Sequence, residues 1–297
     1  MKFVTASLLT LFLFTACSSE NIVTQSPDTW TPTTKGPWDG EIHMATSSDG
    51  LTFDEKGLIL ERAGVPNLLK LQNNDLILTY QYFSDSSEAM FGIIAYSVSK
   101  DNGTTWSEPK AINFENLPDP LDSAKVPMDP TLVQLKDGRL RLYFTYHAKG
   151  NQRAALYSTT TADANIDSTF VANKTPALIL SPEATLLDPA VTFFDGAWHH
   201  YTCQADSDNN YHSISTDGLT FTLQDDISLP MDFLGQVIPF KDGLRFYGTG
   251  NGVTSAFSSD GFIWEIDGVN IVEGADPAVQ QLNDGSFVMI YTPMNFN

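Results

Sequence analysis

Three aspartates occupy the same local setting at distant points of the chain: Asp129-Pro130, Asp188-Pro189 and Asp276-Pro277. Each pair opens an apolar run. Carboxyls brought into one concavity raise one another's pKa, so one can keep a proton as an acid while another serves as a base. That division of labour is what cleavage of a glycosidic bond requires. A plainer account stands beside it. Asp before Pro is a common turn opener, and a repeated sequence can copy it for structural reasons alone.

The elements that must position these residues come from an internal repeat. One series reads "VPNLLKLQNNDLILTY" (65–80), "DPTLVQLKDGRLRLYFTY" (129–146), "DPAVTFFDGAWHHYT" (188–202), "LGQVIPFKDGLRFYGT" (234–249) and "DPAVQQLNDGSFVMIYT" (276–292). Each copy is two apolar runs joined by Asp-Gly, or by Asn-Asn in the first, which suits tight hairpins with positive φ. "IIAYSVSKDNGTTW", "AALYSTTTADANIDSTF", "YHSISTDGLTF" and "TSAFSSDGFIW" follow in register, each a third strand, a turn and a fourth strand. No copy carries a helical period. Five units of four strands, roughly fifty residues each, predict an all-β, five-bladed β-propeller of antiparallel blades. The fifth unit ends after two strands. The missing pair stands at the N-terminus, in "EIHMATSSDGLTF" and "DEKGLILE", so the last blade is expected to be closed by N-terminal strands, which removes an open sheet edge.

In a propeller the first strand of each blade lines the axis. Asp129, Asp188 and Asp276 therefore belong at one mouth of the ring, as the expected functional site. Blades one and four lack the Asp-Pro pair, which predicts a lopsided site with substrate room beside Asn67 and Asp232. His147 and Tyr146, at a strand end, are further candidate substrate contacts. Against them, a histidine at such a place is more often satisfied structurally, and Tyr82, Tyr146 and Trp198 fit a core between blades as well as a sugar platform.

Composition narrows the partners. The 297 residues carry 36 acidic and 16 basic side chains, a formal charge of −20, which argues against nucleic acid. The charge reads equally as a solvated surface that keeps the protein soluble. No phosphate loop, nucleotide fingerprint or nucleophile elbow is present, and no metal or other cofactor is expected. The adjacent His199 and His200 point to opposite faces of a strand, which makes a poor zinc site. Cys203, in "HHYTCQA", reads as a small buried hydrophobe.

The N-terminus reads as an address. Lys2 and the short apolar run Phe3–Phe14 make a signal peptide over residues 1–17. Its end, "FTAC", resembles the lipobox of bacterial lipoproteins, which implies acylation at Cys17 and anchoring to the outer membrane. Residues 18–38, rich in Ser, Thr and Pro, are expected to be a tether, and 39–297 the propeller.

"SVSKDNGTTWSEP" matches the S-x-D-x-G-x-T-W Asp box of sialidases through Ser99, Asp101, Gly103, Thr105 and Trp106. Shorter forms stand at Ser47–Phe53, Ser215–Phe221 and Ser258–Trp264, with a degraded one at Asp163–Phe170. The Asp caps turn amides, Gly relieves the turn and the aromatic packs between sheets, so these aspartates are structural rather than catalytic. Over 39–297 the chain resembles the propellers of glycoside hydrolase families 43 and 32. The family 43 pattern implies an Asp base, a tuning Asp and a Glu acid from different blades. Here blade one has Val65-Pro66-Asn67, without the Asp, and the nearest candidates for the acid are Glu183 and Glu273. The sialidase pattern is incomplete too. Its carboxylate-gripping Arg is replaced in Gly64-Val65-Pro66, and the five arginines (Arg62, Arg139, Arg141, Arg153, Arg245) form no evident triad.

Three readings remain. One is a surface-anchored glycosidase acting on a neutral or weakly charged glycan. Another is a non-catalytic glycan-binding or scaffold propeller. The third is a divergent exo-sialidase-like protein. The carboxyl ring favours the first, and the absent blade-one Asp favours the second.

Overall fold

The computed structural model describes residues 37–85, 87–122, 126–180, 184–204 and 209–294. Cys17, Glu183 and nearly all of the expected tether lie outside the described residues. The chain forms five antiparallel sheets arranged as a five-bladed propeller. The innermost strands are Ala63–Lys70, Met128–Gln134, Ala190–Phe194, Asp232–Phe240 and Gly274–Gln281, in blades one to five. Each packs against the next, and the fifth returns to the first, closing the ring.

Blade five joins the two ends of the chain. Its order from the axis is Gly274–Gln281, Phe287–Pro293, Glu41–Ser47 and Phe53–Glu61. The seam runs through the pairs His43↔Tyr291 to Ser47↔Phe287. A sheet that would otherwise end in an unpaired edge is thereby completed.

The hairpins follow their turn chemistry. Asp195 and Gly196 both take positive φ, 44° and 83°, in the two-residue loop between Phe194 and Ala197, as a type I′ turn needs. Asn74, Gly138 and Gly285 supply the left-handed residue in blades one, two and five. Blade four departs from the expected Asp-Gly turn. Lys241 takes the positive φ of 53°, Phe240 pairs with Gly243, and Gly243 already belongs to the second strand. A Cβ at Gly243 would lie 2.2 Å from the Ser258 carbonyl oxygen, so close strand approach is what requires glycine there.

Second strands are buried along nearly their whole length, Leu140–Tyr146 completely, because a sheet lies on each face. The core is accordingly five clusters between blades. Tyr201, Phe233, Phe246 and Trp264 fill one of them, and Tyr143, Trp198 and Phe221 another.

The Ser-x-Asp turns lock these layers together. In blade five the Gly50 N–H donates to Ser47 Oγ, and the Leu51 and Thr52 N–H groups donate to Asp49 Oδ1. The same pattern holds at Ser215-Asp217 and Ser258-Asp260. Each turn sits on the second strand of the preceding blade. The hydroxyls of Tyr247, Tyr143 and Tyr201 donate to the carbonyls of Gly50, Gly218 and Gly261. Arg141 donates to the Asp217 carbonyl, and Arg245 pairs with Asp267 at 2.6 Å. Arg141 thus serves an outer turn, whereas Arg245 ties its strand to the outermost strand of the same blade.

Candidate functional site: three carboxyls at the propeller axis

The local backbone explains why the three aspartates converge. In blades one, two and five the register slips between Gly64 and Asn67, Met128 and Thr131, and Ala275 and Ala278. The slip leaves an X-Pro pair as a bulge. Proline has no N–H to give to a ladder, and bulges re-aim side chains. The residue before each proline is left-handed: Val65 at φ 48°, Asp129 at 54°, Asp188 at 47° and Asp276 at 48°. Asp tolerates this region better than most residues, whereas a β-branched residue there is strained by about 1–3 kcal/mol. Val65 therefore occupies a backbone shape that suits the aspartates of the other blades.

Blade four solves the same bend differently. Its register slips between Asp232 and Gln236, and Gly235 takes φ 151°. A Cβ at Gly235 would meet the Tyr247 carbonyl oxygen at 2.2 Å. Leu234 takes the place that Asp holds elsewhere, and Asp232 lies two residues before it.

One small, open depression is lined by Val65, Pro66, Asn67, Asp129, Pro130, Thr131, Asp188, Pro189, Gly235 and Asp276. The three aspartates from blades two, three and five thus meet at one end of the axis. Below it, amides and a hydroxyl tie the inner strands across the axis. The Leu132 N–H donates to Asn67 Oδ1 at 2.9 Å. Gln236 accepts from the Leu68 N–H at 3.0 Å and donates to the Leu68 carbonyl at 2.7 Å. Thr131 Oγ1 donates to the Pro189 carbonyl.

The carboxyls are electrostatically linked. Asp129 is 1% exposed. Its Oδ2 accepts the Asp188 N–H at 3.3 Å, and its buried Oδ1 has no hydrogen-bond partner. Burial pushes its pKa up to about 6; the neighbouring Thr145 hydroxyl and the Asp188 amide oppose the rise. The Thr145 hydroxyl itself makes no well-aligned hydrogen bond. Burial also raises Asp276 to about 6, with the Asp129 charge adding to it. Asp188 is raised well above the ordinary carboxylate range, by burial and then by the charges of Asp129 and Asp276. Asp188 and Asp276 are half-buried and touch water in the mouth, yet enough protein surrounds them to weaken their solvation. The turn aspartates behave oppositely: amide donors hold Asp49 down to about 2. Two populations of aspartate, one capping turns and one crowded at the axis, are therefore separated by environment.

The other anticipated residues are not brought together here. Glu273 is exposed, just before the innermost strand of blade five, and does not line the depression. Asp232 is displaced by the blade-four bend. Tyr146 is a core residue whose hydroxyl donates to the Pro118 carbonyl at 2.7 Å. His147 is buried, with Nε2 3.1 Å from the Asn151 carbonyl. Trp198 packs on Tyr143 and Phe193, and Tyr82 sits edge-on to Tyr80. Asn67 does line the depression, while its side-chain amide oxygen serves as an inter-blade tie.

Two threonines of the supporting layer escaped sequence reasoning. Thr145 lies beside Asp129. Thr249 Oγ1 accepts the Asp276 N–H at 3.0 Å and donates to the Leu234 carbonyl. The signal was present in the repeat, since Thr145, Thr249 and Thr292 share one position near the ends of second strands.

No family model matches the chain, and no curated protein matches it in sequence. Solved structures do match in fold. One is a family 117 glycoside hydrolase from the marine bacterium Zobellia galactanivorans, at 15% identity and TM-score 0.53, covering 86% of this chain and 85% of that one. Another is a family 43 β-1,3-galactosidase with galactodeoxynojirimycin, at 12% identity and TM-score 0.55, covering 83% and 94%. A third is the exo-β-1,3-galactanase of Phanerochaete chrysosporium with galactose, at 11% identity and TM-score 0.56, covering 84% and 64%. At these identities the likeness establishes the fold.

Proposed function

We propose that the protein is a glycoside hydrolase whose chemistry is carried by Asp129, Asp188 and Asp276. The observation behind this is the meeting of three carboxyls from three blades in one depression, where burial raises the pKa of each. The glycosidase folds matched above support the same reading. Asp188 is the acid: it delivers its proton to the glycosidic oxygen as the bond to the anomeric carbon breaks. Asp276, partly open to water, is the base that takes a proton from the water forming the new bond. Asp129, buried between them in charge terms, is the positioning and tuning residue. This assignment replaces Glu273, which lies outside the depression.

The substrate is a neutral or weakly charged glycan. No Lys or Arg lines the depression, and a sugar carboxylate calls for a bidentate Arg, which disfavours the sialidase-like reading. A non-catalytic glycan-binding role is favoured by one observation, Val65 in place of a fourth Asp. Hydrolysis of aryl glycosides and oligosaccharides by the purified protein, compared with Asp188→Asn, decides between them. Activity lost in the variant supports the enzyme, and binding without turnover in the wild type supports the module.

The same proposal includes export and a lipid anchor at Cys17 on the outer membrane, supported by Lys2, the apolar run Phe3–Phe14 and the "FTAC" junction. Cys17→Ala should leave the membrane fraction or remain unprocessed; a variant that fractionates as wild type rejects the anchor.

A further inference from the structure

We propose that Thr249, on the second strand of blade four, is the positioning residue for Asp276: its hydroxyl stands in for the aspartate that blade four lacks and fixes the Asp276 carboxyl at the axial mouth. This rests on the reading of Asp276 as the catalytic base and adds the group that holds it there.

The bulge leaves the Asp276 N–H outside its own strand ladder, because the register slips between Ala275 and Ala278. The backbone at Asp276 is left-handed, with φ 48°. The direction of its carboxyl therefore depends on what holds that amide. The holder is an atom of the preceding blade. Thr249 Oγ1 accepts the Asp276 N–H at 3.0 Å and is itself fixed by donating to the Leu234 carbonyl at 3.2 Å. Thr249 is buried, so this bond is shielded from water.

The junction between blades two and three shows what Thr249 replaces. The Asp188 N–H is also held from the preceding blade, by Asp129 Oδ2 at 3.3 Å. Blade four has Leu234 where Asp129 stands in blade two, and the Thr249 hydroxyl supplies the missing acceptor from the adjoining strand. Gly235 completes the substitution. A Cβ there would stand 3.1 Å from Cδ and Cγ of Pro277, so glycine lets the Asp276-Pro277 pair seat against blade four. Two departures of blade four from the repeat thus serve one Asp-Pro pair.

The change of acceptor has a chemical consequence. A carboxylate at the blade-four position would add a fourth negative charge beside Asp276. The charged groups that face Asp276 are Asp129 and Asp188, and the other lining residues carry none. A hydroxyl holds the amide without charge and without titrating. Asp276 therefore keeps its place while the carboxyls gain and lose protons, and it ionises at about 6, which suits a base working near neutral pH.

The test compares Thr249→Val, which keeps the shape and removes the acceptor, with Thr249→Ser, which keeps the hydroxyl. Thr254→Val is the control, since Thr254 is buried in the same blade with its hydroxyl on the Gly252 carbonyl. Carbon-detected NMR of the full chain follows the Asp276 carboxyl through a pH titration. The midpoint should stay near 6 in wild type, Thr249→Ser and Thr254→Val. In Thr249→Val it should fall by about one pH unit, as the released carboxyl turns toward water and away from Asp129. On an aryl glycoside that the wild type hydrolyses, the acidic limb of the kcat/KM profile should move down with it. There kcat should fall roughly tenfold or more with KM little changed, and Thr249→Ser should restore both. An unmoved midpoint in Thr249→Val, or an equal shift in Thr254→Val, overturns the inference. Should Thr249→Val not fold, the wild type decides: an Asp276 amide anchored to Thr249 exchanges slowly with solvent despite the open mouth, and fast exchange overturns the anchor. A wild type that hydrolyses no glycoside removes the hydrolase reading alone, because titration and exchange still judge Thr249.

Discussion

Asp129 accepts, through Oδ2, the main-chain N–H of Asp188 at 3.3 Å. Two aspartates 59 positions apart are thus joined where neighbouring blades meet the axis. The bond fixes the spacing of their charges, and the Asp129 charge is the main electrostatic cause of the raised Asp188 pKa after burial. Replacing Asp129 by Asn should lower the Asp188 pKa. Carbon-detected NMR titration of the Asp188 carboxyl would show this, and an unmoved titration would contradict the coupling.

The axial carboxyls make stability depend on pH in a definite direction. An unfolded Asp titrates near 3.9, and folded Asp129 and Asp276 near 6. Between those values the native state binds more protons, so these groups lend stability at low pH that is lost as pH rises through about 6. Asp276→Asn should therefore raise Tm most above about pH 6.5 and little near pH 4, measured by thermal denaturation across that range.

Three buried histidines in blade three work the other way. His199, His200 and His212 are buried; His212 lies 4.7 Å from Tyr201 between ring centres, and His199 Nδ1 is 3.1 Å from His212 Nε2. Desolvation lowers all three pKa values, to about 3 for His200 and His212. An unfolded His protonates near 6.5, so below that pH the unfolded state binds more protons and stability falls with acidification. His200→Gln should flatten the decline between about pH 6.5 and pH 4. An unchanged slope would mean that burial does not hold the His200 ring neutral.

Val65 holds a left-handed backbone at φ 48°. Val65→Gly removes the strain and should cost little packing at the open mouth. A gain of about 1 kcal/mol in unfolding free energy is expected. Denaturant unfolding that shows a loss instead would mean that Val65 packing outweighs the strain.

Two glycines separate blade locking from simple turn strain. A Cβ at Gly50 would stand 2.8 Å from Tyr247 Oη and 3.0 Å from Arg245 Nη1, whereas Gly57, also at positive φ, has nothing within 4 Å. Gly50→Ala should lower stability by about 2 kcal/mol more than Gly57→Ala, because it pushes blade five off blade four. Equal losses would show that the turn, rather than the interface, sets the cost.

The architecture was legible because its determinants are local and repeated. Ser47, Asp49 and Gly50 close a turn with atoms four residues apart or fewer, so the motif carries its own geometry. The convergence of Asp129, Asp188 and Asp276 followed from repeat equivalence in the same way. What failed was whatever depended on unique sequence. Asp232 was aligned with the ring by type, but blade four bends through Gly235 without a proline and puts Leu234 there. Glu273 is near Asp276 in sequence, yet three residues along an extended chain carry it onto the surface. Tyr146 and His147 have polar tips, and their burial was decided by neighbouring sheets that no local pattern reveals.

The central claim is that the axial carboxyls perform acid–base hydrolysis of a glycosidic bond. The most direct measurement is the turnover of matched glycosides with good and poor leaving groups by wild type and Asp188→Asn, with both proteins shown to be folded. The account predicts a loss of about two to four orders of magnitude on poor leaving groups. It predicts a much smaller loss on aryl leaving groups that need no proton. Wild-type turnover by Asp188→Asn on both kinds of substrate, or a folded wild type that hydrolyses neither, would contradict it.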